Sequence, residues 1–250
     1  MAGHSHWANI KHKKAANDAK RGKVWSKVSR ALIVAAKNGG GDPDQNLTLR
    51  YAIDKAKAAN LPKDTIANAI KKGTGDLDGQ EFVDVLYEGY GSGGIAIMAQ
   101  SLTDNRNRTA PEIRRVFEKR GGTMGATGCV SYMFAKKGLF VIEANGKDED
   151  EVMEIALEAG AEDFNAEGNT FEITCEADDF NAIKQELADK GIEVAVAELS
   201  MLAADSIEIT DEDHARKILA LIEDLEDHDD VQDVYSNFDI SETLAEKIQG

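Results

Sequence analysis

Lys13, Lys20 and Lys27 recur at intervals of seven, and Lys23, Lys27 and Arg30 follow at four and three. On a helix both spacings keep side chains near one face. With Lys11, Lys14 and Arg21 they set eight cations against one acid, Asp18, in the first 30 residues. Phosphates call for such a ridge, because affinity for a polyanion comes largely from released counterions. The plainer reading is a solvated helix face. Such faces mix signs and pair Glu with Lys, whereas no Glu occurs here before Glu81. The segment is read as nucleic-acid-binding. His4, His6, Trp7 and His12 lie beside it. Without a cysteine or close carboxylate these histidines do not complete a metal shell, so no metal is expected. They are read as hydrogen-bonding groups at the same surface. Trp7 either stacks on a base or pins the N-terminal arm to the helices.

A second candidate is the loop Asn105, Arg106, Asn107, Arg108, followed by Thr109-Ala110-Pro111-Glu112. Thr and the Glu three residues on form a capping box, which predicts a helix opening at Thr109. Free amides at a helix start plus two arginines suit a phosphate, and Arg114 and Arg115 extend the positive character. A surface loop with an ordinary cap accounts for the same residues, and both readings stand.

Catalytic signals fail one by one. Residues 89–94 match G-x-G-x-x-G, but a strand-like run follows where that fingerprint needs a helix. No P-loop, G-x-S-x-G or H-E-x-x-H sequence occurs, and no nucleophile has an oriented base. The acidic run at residues 223–230 lacks the glycine and ligand spacing of a calcium loop and reads as a solvated helix end. No catalytic residue and no cofactor is expected.

The elements that position these residues fall into three groups. Apolar residues at Trp25, Val28, Leu32 and Ala35 have helical spacing, with Gly22 expected to break or bend that stretch. Helices are predicted near 46–59 and from Pro62 to a stop at Gly73. Strands are predicted at 82–87, 95–102 and 128–134. Residues 137–203 then read βαββαβ, the ferredoxin-like unit. A strand at 206–209, a helix at 211–225 and a strand at 231–238 complete a second sandwich with the strands before the insertion. The expected fold is α+β in three domains: a helical module at 1–76, a discontinuous α/β domain at 77–136 plus 204–240, and an inserted acidic one at 137–203.

Charge follows the same division. Residues 1–72 hold 15 Lys and Arg against five Asp, a net +10, while residues 138–250 hold six against 33 acids, a net −27. One end is built to meet a polyanion and the other is not, which leaves the acidic body as a candidate surface for a protein partner. No apolar run approaches a membrane span, and no secretory signal follows the N-terminal charges. Cys129 and Cys175 sit far apart in apolar segments, as free thiols of a reducing compartment do. A cytoplasmic location is expected.

Residues 7–12 (WANIKH), 18–22 (DAKRG), 69–75 (AIKKGTG), 87–91 (YEGYG), 102–109 (LTDNRNRT) and 225–234 (LEDHDDVQDV) are specific enough to name a family. On these the chain resembles the YebC/PmpR family of transcriptional regulatory proteins, whose relatives include a mitochondrial translational activator of cytochrome c oxidase. The resemblance implies a helical N-terminal domain, two ferredoxin-like domains, and nucleic-acid binding without catalysis. It implies a DNA-binding transcriptional regulator or, alternatively, a ribosome-associated factor that binds ribosomal RNA or tRNA and eases stalled, proline-rich translation. Either partner would bind through residues 1–75. The chain departs from the family pattern at Ser92, at Leu47-Thr48 and at Val24-Trp25-Ser26.

Overall fold

The computed structural model describes residues 21–240 together with 244, 247 and 248, without the side chains of Arg21 and Glu167. The proposed contacts of His4, His6, Trp7, Lys11, His12, Lys13, Lys14 and Lys20 lie outside the described residues, as does the side chain of Arg21.

Three helices make the first unit: α1 (Arg21–Gly39), α2 (Leu47–Ala58) and α3 (Lys63–Thr74). Val28, Leu32, Ala35 and Ala36 form one stripe on α1 and are buried with Leu49, Ala56, Ile66 and Ala69. Asn46 joins the first two helices. Its carboxamide oxygen caps α2 at Leu49 N, while its Nδ2 donates to Ala35 O and Gly40 O, each at 2.8 Å. Gly22 is the second residue of α1, and the stretch it is expected to break or bend begins outside the described residues. Gly73 is not the stop of α3. It marks the crossing with α1, where a Cβ would stand 2.4 Å from Ile33 O. The stop is Gly75, at φ +86°.

The α/β part has two four-stranded sheets. β1 (Val83–Tyr90) and β2 (Ala96–Thr103) form a hairpin, followed by α4 (Arg106–Lys119) and β3 (Thr123–Met124). β4 (Phe134–Glu143), α5 (Glu149–Glu158), β5 (Asp163–Glu167), β6 (Thr170–Glu176), α6 (Phe180–Asp189) and β7 (Val196–Ala203) come next. The chain returns through β8 (Ile207–Glu208), α7 (Glu212–Glu226), β9 (Val231–Ser236) and β10 (Phe238–Asp239). The sheet orders are β5-β6-β4-β7 and β3-β1-β2-β9, with antiparallel neighbours throughout. Both have the ferredoxin-like arrangement, and the second reaches it with its hairpin strand β1 preceding the βαβ path. One α/β domain is thus inserted in the other.

Three expectations need correction. α4 begins at Arg106, three residues before Thr109, because Asn105 rather than Thr109 caps it. Residues 128–133 are a turn and a 3-10 segment (Ser131–Met133), not a strand. There the buried Glu88 carboxylate accepts from Gly128 N, Val130 N and Ser131 N at 2.7–2.9 Å, so a side chain takes the bonds a neighbouring strand would supply. The strand expected at 206–209 shrinks to β8, which pairs in parallel with β10 outside the main sheet.

Candidate nucleic-acid interface

Helical spacing does bring Lys23, Lys27 and Arg30 onto one face of α1. That face meets the acidic turn after α7. Lys23 Nζ donates to Asp227 O at 3.0 Å and Lys27 Nζ to Glu226 O at 2.5 Å. Arg30 donates to Asp229 O and to Asp230 Oδ1, the latter at 3.0 Å. The last carbonyls of a helix lack intrahelical partners and carry the negative end of its dipole, so cations are favoured there. Burial pushes the Lys27 ammonium down despite the surrounding acids. From α2, Lys55 pairs with Asp233 at 3.0 Å, and that carboxylate holds its ammonium above the ordinary value. The acidic run is therefore a docking surface rather than a solvated helix end.

Asp230 is its centre. Its side chain is 3% exposed and accepts from Arg108 Nη2 at 2.6 Å and from the Thr109 hydroxyl at 2.6 Å, besides Arg30. Burial pushes its carboxyl up, but the Thr109 and Arg108 hydrogen bonds outweigh this and hold it below the usual range. Residues from α1, α4 and the approach to β9 thus converge on one carboxylate.

This geometry changes the reading of the loop. Asn105 Oδ1 accepts from Asn107 N and Arg108 N, so those helix-start amides are capped, not free. Arg108 also pairs with Asp104 at 3.1 Å. Arg106 donates to Asp84 O at 3.3 Å and is otherwise exposed. Asn107, Arg114 and Arg115 are exposed, and the two arginines make no ion pair among the described residues. They stand about 12 Å along the helix from Arg106, at 1.5 Å per residue. The structure gathers Asn105, Arg106, Asn107 and Arg108 at one helix start and leaves Arg114 and Arg115 outside it.

Other cations are more open. Lys63, Lys71 and Lys72 on α3 are exposed, with no ion pair among the described residues. Lys72 lines an open cleft of ≈ 830 Å³ with Trp25, Ser26, Ser29, Arg30 and Phe82. The Arg30 guanidinium lies 5.4 Å from the Phe82 ring centroid, and Trp25 Nε1 donates to Ala59 O at 2.9 Å. Trp25 is thereby a half-buried anchor of the module. Reading the sequence for cation spacing on the first helix alone passed over α3; the pair Lys71-Lys72, in a stretch without an acid between Asp64 and Asp76, was the available signal.

Among the described residues no group of three His, Cys, Asp or Glu could hold a metal ion. Burial pushes the Cys175 thiol up to about 11, and the Cys129 thiol also lies above its ordinary value. Such thiols are poor nucleophiles. No helix among the described residues is long and apolar enough to cross a membrane.

Known proteins share this architecture. Residues 5–76 match the family model described as the TACO1/YebC protein N-terminal domain, and residues 82–238 match that of the TACO1/YebC second and third domain. A probable transcriptional regulatory protein of Rhodopirellula baltica is 52% identical over 248 residues, spanning 98% of this chain and 100% of its own length. One from Natranaerobius thermophilus is 50% identical over 249 residues, spanning 98% and 99%. The crystal structure of a conserved hypothetical protein from Aquifex aeolicus matches with a TM-score of 0.84 at 46% identity, across 95% of this chain and 98% of that one.

Proposed function

Since the chain belongs to the TACO1/YebC family, we propose that it is a cytoplasmic, non-enzymatic DNA-binding protein that regulates transcription, gripping nucleic acid through its helical module. The observation that carries this reading is the open cation surface of α3. Lys63, Lys71 and Lys72 face solvent without carboxylate partners among the described residues, on a unit whose charge is opposite to that of the body. Exposed, unpaired cations are what phosphate contacts use, and they are worth little to folding. The names of the relatives, probable transcriptional regulatory proteins, agree with it. Arg106, Arg114 and Arg115 on α4 are auxiliary phosphate contacts, and the acidic inserted domain is left for a protein partner.

The alternative partner is ribosomal RNA or tRNA. It is favoured by the cleft in which Trp25 and Phe82 lie among hydroxyls and the cations Arg30 and Lys72. Aromatic groups beside cations accommodate unstacked bases. Full-length protein titrated with duplex DNA, single-stranded RNA and ribosomes at matched salt decides between them. Salt-steep DNA binding that exceeds RNA and ribosome binding supports the regulator. Preferential ribosome co-sedimentation supports the alternative, and binding to none of the three sinks both.

A further inference from the structure

The cation row of α1 is covered surface in this structure. Its three donors at Lys23, Lys27 and Arg30 meet oxygen acceptors at Asp227, Glu226, Asp229 and Asp230. These acceptors are mostly main-chain carbonyls at and just beyond the end of α7. They resemble a run of phosphate oxygens in what they offer: several acceptors, closely spaced, in a negative field. That field is deepened by the carboxylates of Asp233, Glu226 and Asp227, which act on the Lys27 ammonium.

A phosphate backbone approaching α1 meets these carboxylates well inside one Debye length, about 8–10 Å at physiological salt. The two anions cannot both occupy the row. We propose that residues 226–230 act as an internal stand-in for phosphate, covering the cation face of α1 in the free protein and giving way to nucleic-acid phosphates on binding. This rests on the reading of the helical module as the part that grips nucleic acid.

The contacts are suited to exchange. Among the described residues Lys23 is exposed and bonded only to a carbonyl, and the Lys55–Asp233 pair is on the surface. Phosphate oxygens are stronger acceptors for ammonium and guanidinium groups than main-chain carbonyls, since both partners are then charged. The turn has its own anchor on the body. Asp230 keeps Arg108 and Thr109 of α4 when Arg30 leaves, and its carbonyl accepts from Leu102 N at 2.8 Å. Release therefore frees the helical module as a unit and leaves the turn in place. Coupling of this kind makes body and nucleic acid competitors for one face, each weakening the other's hold.

The test uses the full chain, with a short duplex DNA and a single-stranded RNA of matched length as probes. Amide exchange of the wild-type protein is followed over residues 226–233 with and without each probe. Asp230→Asn weakens the grip on Arg30, and Glu149→Gln removes one charge at the exposed start of α5 as a control. Faster exchange of the turn in the complex, with Asp230→Asn binding about fivefold tighter than Glu149→Gln, is the expected result. If the wild type binds while turn exchange is unchanged or slowed, α1 is not exchanged and the inference is overturned, whether or not Asp230→Asn folds. Failure of the wild type to bind either probe at low salt overturns the nucleic-acid reading itself, and the inference with it.

Discussion

Glu88 and Asp230 are both buried carboxylates beside the β1-β2 hairpin, at 2% exposure each, and they are satisfied in opposite ways. Glu88 accepts from three main-chain amides of one loop in its own domain. Asp230 accepts from the side chains of Arg30, Arg108 and Thr109, which come from two domains. Of the three donors only Val130 N lies in a buried residue, but all three amides belong to one loop that folds around the Glu88 carboxylate. Arg30, at 22% exposure, reaches water or phosphate when it leaves the carboxylate, which keeps Arg108. A buried acid held by amides shapes a loop, whereas one held by exposed cations joins units that separate.

The comparison is broken most directly at Glu88. Glu88→Ala is expected to lower stability by about 3–5 kcal/mol in urea denaturation, because three amides lose their acceptor at ~1–3 kcal/mol each. A loss under about 1 kcal/mol would mean that water replaces the carboxylate and the loop is not built on it.

Asp230→Ala is expected to cost less, about 1–3 kcal/mol, since solvent rescues the arginines. Its signature differs as well. The helical module, docked here by Arg30, Lys23 and Lys27, should melt separately from the body, which calorimetry resolves as two transitions. One sharper transition would place Asp230 with Glu88 as a purely local support.

Acid sharpens the contrast further. Burial raises the Glu88 carboxyl, but its amide hydrogen bonds prevail, and both Glu88 and Asp230 lie below their ordinary values. A depressed folded value means that the stabilisation is complete above the unfolded pKa, about 4, and is lost as pH falls through the folded value. Urea midpoints measured from pH 7 downward should hold steady and then drop below pH ~4. Glu88→Gln should flatten that drop, and Asp230→Asn should remove the part that belongs to module docking.

The smallest effect on stability is expected where no carboxylate is involved. Lys63→Gln, Lys71→Gln and Lys72→Gln together should shift stability within about 0.5 kcal/mol, as exposed changes do. The slope of log affinity against log salt should nonetheless fall by up to about 0.9 for each duplex phosphate that is no longer neutralised. An unchanged slope would show that the open face of α3 does not touch phosphate.

Local pattern was enough to read the order of elements, the helical module, the βαββαβ insertion and the separation of charge along the chain. Each rests on residues a few positions apart: the stripe Val28, Leu32, Ala35 on α1, the short apolar runs of β4 and β6, the cations before Gly75. Helical periodicity and short apolar runs are short-range properties, and burial follows them. Tertiary structure alone decided where the charges go. Arg30 and Asp230 lie 200 positions apart and Glu88 and Val130 lie 42 apart, and no spacing rule connects them. The acidic run therefore reads as solvated when taken by itself, and the α4 amides read as free until Asn105 is seen to cap them. Gly73 likewise resembles a stop by composition, while its reason is the Ile33 carbonyl that only the packing of α1 on α3 brings close. Residue type sets what a group requires, and the fold alone sets which distant group supplies it.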